Sequence, residues 1–485
     1  MTLSLALNNA LSGLQANTQQ AEIISTNVAN ALTEDFGRRD VVLSSLGATG
    51  GVRIDGVTRA SSPAMAEARR IADAAAGGAT TRSDAFATLA AAVGEPGSPG
   101  ALATIAADFE AALSAAADTP ESSTLLQTAA LAAGDYAASI NRIAAEVMKL
   151  RVSADTSIAG QVQTMNSSLG KIQSLNAEIK ARQISGGDVS SLLDQRETLV
   201  KEISGMIPIR TVDRPFGEIA IYAQNGGQLL DGKAFEIGFT PSPGAAPGAT
   251  IANGGLSGLT VNGVPIAIGE GDGAGLLDGG SLEAAFEVRD SIAPQTSAML
   301  DGLAANLIAR TQDLPEDATL TPGDAGLFTD AGGAFDPADE AGVALRISLN
   351  AQVDQSAGGD AARLRDGLNA AGPGALGDAT LLRGLAAALS SNETASTTSG
   401  LTGNRSASGF TVEISASLLT SADRAEGALA FELGAANELR EAELAATGVD
   451  TDQELSRLLQ VEQAYSANAR VISVVDDLLQ RLLQI

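Results

Sequence analysis

The sequence predicts a mainly α-helical protein with an inserted β domain, built as an elongated multidomain chain with discontinuous domains. Two patterns support this fold class. Apolar residues recur every three or four positions near both ends and over residues 140–179, which is the helical period. Apolar residues alternate near 206–280, which is the period of a strand. The 485 residues suffice for two to four domains, each with a full core.

The chain begins with a predicted amphipathic helix over residues 3–32. Its apolar stripe consists of Leu3, Leu7, Leu11, Leu14, Ala21, Ile24, Val28 and Leu32. Two extended segments follow at 36–42 and 52–57, and Asp55-Gly56 is predicted to form a tight turn.

Long helices are predicted for the next part of the chain. Helices at 64–93 and 101–117 are separated by a break rich in Gly and Pro. Residues 140–179 then keep a spacing of three or four, which predicts a rod of about 60 Å. Gly186-Gly187 ends this rod, and a shorter helix follows.

The β region, near 206–280, contains a strong hairpin pattern at 259–266, with Asn262-Gly263 as its turn. The acidic, glycine-rich run at 269–275 resembles a calcium loop or a phosphate cradle in composition. It occurs once and has no Lys-Ser/Thr ending, so we interpret it as a linker.

Helices are predicted to resume at 282–310, at 376–389 and from 417, with an exposed loop at 390–408. The C-terminal helix carries a heptad seam, a repeat of apolar residues that meets a partner helix. The seam consists of Leu458, Val461, Tyr465, Ile472, Val475, Leu479 and Leu482. Asn468 interrupts it, as a polar residue that can fix helix register at a cost in stability.

The two terminal helices allow two arrangements: a hairpin with each other within one chain, or packing against other subunits. A hairpin covers only one side of each helix, so we favour packing against partners. We therefore predict a discontinuous assembly domain from residues 1–45 and 446–485. A long-helix middle domain takes 46–205 and 281–445, and the β domain takes 206–280.

Composition excludes several functions. The sequence has 58 acidic and 30 basic residues, for a formal charge of -28, without the basic surface that binds nucleic acid or anionic membranes. It contains no His, Cys or Trp, which removes the commonest general base, thiol chemistry and zinc-thiolate sites. We therefore predict a protein that is not an enzyme and has no catalytic, cofactor or metal site.

The ends of the chain also bear on its route through the cell. The first basic residue is Arg38, so the start lacks the charged region of a secretion signal. No run of 18 apolar residues occurs, and no membrane insertion is expected. If the protein is exported, we expect export without a cleaved signal peptide.

A charged segment at 191–200 includes Asp194, Arg196 and Glu197. Asp194 and Thr198 share one face of a predicted helix. From chemistry alone we expect an exposed, solvated face here.

Residues 25–38, Ser-Thr-Asn-Val-Ala-Asn-Ala-Leu-Thr-Glu-Asp-Phe-Gly-Arg, resemble the N-terminal signature of the bacterial flagellar rod, hook and hook-associated axial proteins. Asp35 stands where that signature usually has Gly, and Thr26 stands where its first Asn is common. Residues 448–454 and 463–472 resemble the C-terminal half of the signature. Segments at 191–200 and 279–295 are similar to the hook-associated protein 1 family.

This resemblance implies a structural adaptor in a ring at the hook–filament junction, outside the cell. The implied partners are other copies of the chain, the hook protein and hook-associated protein 3, with a flagellar export chaperone and type III export. Hook-associated protein 3, the hook protein and a flagellin-like protein remain alternatives.

The predicted assembly interface combines the terminal stripes with the signature. Its residues are Leu7, Leu11, Leu14, Ile24, Asn27, Val28, Asn30, Phe36, Arg38, Leu458, Val461, Tyr465, Asn468, Ile472, Val475, Leu479 and Leu482.

Overall fold

The structure is a computed structural model that describes residues 3–33, 35–47, 50–242, 244, 246–266, 279–312 and 314–483. This part of the chain is mainly helical with small antiparallel sheets, which confirms the predicted fold class. The run at 269–275, which we interpret as a linker, lies outside the described residues.

The α-helices account for most of the described chain. They are α1 (Leu3–Ala29), α2 (Pro63–Val93), α3 (Leu102–Asp118), α4 (Ser123–Ile184), α5 (Ser190–Met206), α6 (Ser281–Glu287), α7 (Ala293–Gln312), α8 (Arg363–Asp366), α9 (Thr380–Ser390), α10 (Ala407–Thr447) and α11 (Thr451–Leu483). A π-helical segment, Val288–Ile292, joins α6 to α7.

Helix α4 extends beyond the apolar stripe at 140–179, because it starts at Ser123 and runs for 62 residues. The added turns bury Ala129, Ala130 and Ala133, whose small side chains let neighbouring helices approach closely. A pattern search that counts large apolar residues misses such alanines. At 1.5 Å per residue the helix is about 90 Å long.

Helix α10 likewise begins before the predicted start at 417, so the predicted loop at 390–408 ends earlier. The Ser406 hydroxyl caps the helix by accepting a hydrogen bond from the Gly409 N–H at 3.1 Å. Phe410 and Ile414 are fully buried in its first turns.

The strands form separate small sheets. They are β1 (Arg39–Ser45), β2 (Val52–Arg59), β3 (Ile209–Asp213), β4 (Ile219–Ala223), β5 (Gln228–Asp231), β6 (Lys233–Ala234), β7 (Ile237–Gly238), β8 (Leu259–Val261), β9 (Val264–Ile266), β10 (Phe328–Asp330), β11 (Ile347–Leu349), β12 (Glu393–Thr394) and β13 (Asn404–Arg405). Their orders are β1-β2, β3-β4-β5-β6, β7-β8-β9, β10-β11 and β12-β13, and every pair is antiparallel.

Two predicted turns have different outcomes. The hairpin at 259–266 is confirmed, since Val261 pairs with Val264 around Asn262 and Gly263, both with positive φ. The prediction of a tight turn at Asp55-Gly56 is wrong. Both residues lie within β2, and Gly56 stands where the register with β1 shifts, which is a common use of glycine in a strand.

Two hydrophobic cores share helix α4. The first joins its N-terminal half to α3, α7, α9 and the start of α10. The second joins its C-terminal half to α5, α6 and the strands between 209 and 261. The long helix therefore carries the β region on the same rod as the helical core. The domain boundaries given above stay a prediction.

Three aromatic rings occupy the centre of the first core. Phe109, Tyr136 and Phe328 are each at most 2% exposed, with ring centroids 5.8 to 6.4 Å apart. The Tyr136 hydroxyl lies 2.5 Å from that of Thr411 on α10. The rings therefore connect α3, α4, β10 and α10.

We expect Phe328→Ala to lower the free energy of unfolding by about 3–5 kcal/mol, because it leaves a cavity among these rings. Phe431→Ala is the matched control, since Phe431 is 73% exposed, and we expect a change below about 0.5 kcal/mol. Urea denaturation followed by circular dichroism measures both. Equal losses for the two variants would contradict this description of the core.

Candidate assembly interface

Helices α1 and α11 pack against each other in antiparallel orientation, and we call this pair the terminal hairpin. Asn27 near the end of α1 contacts Glu454 at the start of α11, and Gly13 lies opposite Asn468. A Cβ atom on Gly13 would lie only 2.7 Å from Asn468 Nδ2, so glycine permits the close approach. The preference for subunit packing instead of a hairpin is therefore corrected, because one face of each helix is used within the chain.

The structure distributes the predicted interface residues over three environments. Ile24, Asn27 and Val475 are buried. Half-buried positions are Leu7, Leu14, Val28, Asn30, Phe36, Arg38, Leu458, Val461, Asn468 and Ile472. Leu11, Tyr465, Leu479 and Leu482 are exposed. The set thus combines residues that close the hairpin with residues that face outward.

A second apolar stripe on α11 escaped the sequence analysis. Leu455, Leu459, Val471, Val474 and Leu478 are between 43% and 60% exposed. They form two groups, 455–459 and 471–478, each with the spacing of a helix, and both groups are offset from the heptad seam. Because α11 is apolar on two sides, one side remains uncovered after the hairpin closes. A search for a second stripe of large apolar residues could have found it.

Asn27 holds the base of the terminal hairpin together. Its Nδ2 donates to the Arg39 carbonyl at 2.8 Å and to Glu454 Oε2 at 3.0 Å. Its Oδ1 accepts from the Arg39 N–H at 3.0 Å. Asn27 is fully buried and Glu454 is 1% exposed. One side chain of the N-terminal signature thus joins α1, β1 and α11.

Charged groups extend this contact toward the surface. Arg457 donates to Glu454 Oε1 at 3.2 Å and to Asp40 Oδ1 at 2.9 Å. Both Arg457 and Asp40 are almost half exposed, so the pair between them adds little stability. The buried Glu454 therefore keeps a cation beside it.

The turn between α1 and β1 has an unusual backbone. Asp35 has φ +60°, in the left-handed region, at the position where the signature usually has Gly. The Arg39 guanidinium lies 4.8 Å from the centre of the Phe36 ring. The Arg38 N–H donates to the Thr447 carbonyl at 3.0 Å, which connects the turn to the end of α10.

The charged segment of α5 does not form a solvated face, which corrects the expectation from chemistry. Asp194 Oδ2 accepts from Arg39 at 2.8 Å, and its Oδ1 accepts from Arg59 at 2.6 Å. Arg196 donates to the Gly217 carbonyl at 2.6 Å, and burial lowers its pKa to about 10. Nothing in the sequence indicated these partners, because they lie far away along the chain.

Glu197 completes the contacts of α5. It accepts two hydrogen bonds from Arg70, at 2.9 and 3.0 Å, and one from Arg69 at 3.3 Å. Arg69 also pairs with Asp73 at 2.9 Å and with Glu443 on α10. Burial alone would raise the pKa of Glu197, but Arg70 and Arg69 hold that pKa below its ordinary value.

The described residues form packed helices and an exposed apolar surface. Among them no group of three or more His, Cys, Asp and Glu side chains is placed to hold a metal ion. None of the helices in the described ranges is long and apolar enough to cross a membrane.

Comparison with known proteins defines the class of this chain. Residues 442–485 match the family model of the flagellar basal body rod FlgEFG protein C-terminal region, which is a model of flagellar axial proteins. Residues 89–327 match the model of the flagellar hook-associated protein FlgK helical domain. Together the two models cover more than half of the sequence. The chain is thus similar to FlgK-type flagellar hook-associated proteins over residues 89–327 and to flagellar rod proteins over its C-terminal helix.

Two individual proteins are also similar to this chain. Flagellar hook-associated protein 1 of Escherichia coli K12 is 26% identical over 264 residues, which are 52% of this chain and 47% of that protein. The flagellar hook junction protein FlgK from Burkholderia pseudomallei is similar over 55% of this chain and 47% of its own, with 20% identity and a TM-score of 0.43. The matches thus span about half the length of each relative.

We expect Asn27→Ala to lower the free energy of unfolding by about 1–3 kcal/mol, because it leaves a buried carboxylate oxygen and two backbone groups without their partner. Asn8→Ala is the matched control, since Asn8 lies exposed on the same helix. Thermal unfolding compares the two variants. A loss for Asn27→Ala no larger than for Asn8→Ala would show that the contact stabilises nothing.

Acid should weaken the fold through Glu197. Because its pKa is lower in the folded chain, its contribution is complete above the unfolded value, near 4.5, and is lost as pH falls through the folded value. Urea denaturation over a pH series should therefore show a shallower fall below about pH 4.5 for Glu197→Gln than for the wild type. Glu438→Gln, at an exposed position of α10, should keep the wild-type slope. If the stability of Glu197→Gln fell below pH 4.5 as steeply as that of the wild type, this role of Glu197 would be refuted.

Proposed function

We propose that this chain is a structural adaptor at the junction between the flagellar hook and filament, and that it assembles through its terminal helices. The match of residues 89–327 to the FlgK helical domain carries this proposal. The protein of Escherichia coli that it resembles is a hook-associated protein.

The surface of the terminal hairpin supports the proposal that this chain assembles with partners. Large apolar side chains line the outer side of α11, among them Leu459 at 60% and Val474 at 57% exposure. Exposed large apolar side chains that recur along one helix are typical of a protein interface. Within the predicted interface, Leu11, Tyr465, Leu479 and Leu482 face outward and are proposed to contact neighbouring subunits.

The buried residues of the predicted interface act from inside the hairpin. Ile24, Asn27 and Val475 are buried, so they hold the surface in place without contacting a neighbour. Asn468 serves the same purpose, because it lies against Gly13 and fixes the register of the two helices. The interface therefore consists of an outer contact layer and an inner support.

The proposed partners are other copies of this chain in a ring, the hook protein and hook-associated protein 3. The proposed location is the extracellular hook–filament junction, reached through flagellar type III export with an export chaperone and without cleavage of a signal peptide. The missing His and Cys residues support a role without catalysis. The FlgK helical match favours this function over a hook-protein or flagellin-like alternative.

Complementation of a strain that lacks its junction protein tests the proposal. We expect the wild-type chain to reduce the flagellin monomer that leaks into the medium. The double variant Leu459→Glu and Leu478→Glu should fail to do so, because charges then lie on the outer apolar surface of α11. Immunoblots of the medium measure the leak.

The matched control is Leu131→Glu with Leu376→Glu. These leucines are 59% and 64% exposed, comparable to the 60% and 44% of Leu459 and Leu478, but they lie outside the terminal hairpin. The control should rescue like the wild type. Both double variants should unfold at the melting temperature of the wild type. Full rescue by the α11 variant would reject the assembly role of this surface.

A further inference from the structure

The turn that leads from α1 into β1 depends on a residue in an unfavourable conformation. Asp35 has a left-handed backbone, with φ +60°, which is uncommon for every residue except glycine, although Asn and Asp adopt it more often than the others. The turn connects the terminal hairpin to the β1–β2 hairpin. A backbone of this kind persists where surrounding contacts hold it.

One face of α5 supplies those contacts to the Asp35 side chain. Lys201 Nζ lies 3.3 Å from Asp35 Oδ1, and Thr198 Oγ1 donates to Asp35 Oδ2 at 3.4 Å. The side chains of Lys201 and Asp35 are only 21% and 14% exposed. Because Asp194, Thr198 and Lys201 are four and three positions apart, they all face the turn.

The same face of α5 also holds the residues that flank the turn. Asp194 accepts hydrogen bonds from Arg39 in β1 and Arg59 in β2, at 2.8 and 2.6 Å. The Gly37 N–H points at Asp194 Oδ1 from 3.4 Å, and Arg59 Nη2 donates to the Asp35 carbonyl at 3.1 Å. Both the side chain and the backbone of Asp35 are therefore held.

We infer that Asp35, Arg39, Arg59, Asp194 and Lys201 form an ionic lock that fixes the turn and the angle at which the terminal hairpin leaves the helical body. The ion pair with Lys201 holds Asp35 in the left-handed conformation that a glycine adopts without a partner. The lock rests on these contacts and not on the proposed function. High salt should weaken it only slightly, because its charged side chains are largely shielded from solvent.

A double-mutant cycle between Asp35 and Lys201 tests the inference by hydrogen exchange of the amides at 35–40. Lys201→Met should speed this exchange about threefold to tenfold, since Asp35 then lacks its cation. Asp35→Gly with Lys201→Met should stay within about twofold of the wild type, because glycine adopts a positive φ without help. The wild type in about 1 M sodium chloride should stay within about twofold of its low-salt exchange rate, because largely buried ion pairs are screened little.

Lys149→Met is the matched control, because it breaks the surface pair with Glu146, whose side chains are 74% and 39% exposed. It should leave exchange at 35–40 unchanged. If Lys201→Met has no effect, or if Asp35→Gly fails to restore slow exchange in its presence, the lock does not exist. If Lys201→Met does not fold, Lys201→Gln replaces it and should give the same increase in exchange at 35–40, because it also removes the cation beside Asp35. Junction assembly is not measured, so this result is independent of the proposed function.

Discussion

The amide of Asn27 is the contact on which the arrangement of the chain ends depends. It satisfies both backbone groups of Arg39 and an oxygen of Glu454, a residue 427 positions away. A buried amide must find hydrogen-bond partners, and only one alignment of α1, β1 and α11 provides them here. Apolar contacts between two helices tolerate sliding, whereas this contact does not. The register of the terminal hairpin follows from it.

A fixed register has a consequence for the outer surface. Once Asn27 lies against Glu454, Gly13 lies against Asn468, and Val475 is buried toward α1. The side of α11 that carries Leu459, Val474 and Leu478 must then face away from α1. The packing of α11 against α1 and its proposed contacts with partners thus use different faces of α11. The hairpin and the partners, which the sequence presents as alternatives, are compatible in the structure.

Periodicity predicted the helices and the central strands, because burial of one face leaves a repeat that a sequence shows directly. The spacing of large apolar residues does not by itself extend to the first turns of α4, where the buried residues are alanines. The sequence pattern failed at Asp55-Gly56, where a bulge and a turn have the same composition. The roles of Asp194 and Glu197 could not be predicted, because each carboxylate is defined by arginines more than a hundred positions away. Family resemblance marked Asn27, but only the structure shows what it binds.

In this acidic chain, the few cationic side chains hold together the places where helices and strands meet. Arg310 on α7 donates to the carbonyls of Ala388 and Ser391, at 2.6 and 2.8 Å, and so satisfies backbone groups at the end of α9. Arg289 is fully buried and pairs with Asp155 on α4 at 2.9 Å. In a chain with 58 acidic and 30 basic residues, carboxylates outnumber cations almost two to one, so the position of each arginine selects which carboxylates become structural. Asp194 and Glu197 belong to that group because Arg39, Arg59 and Arg70 reach them, and the same selection ties the family signature to the body of the molecule.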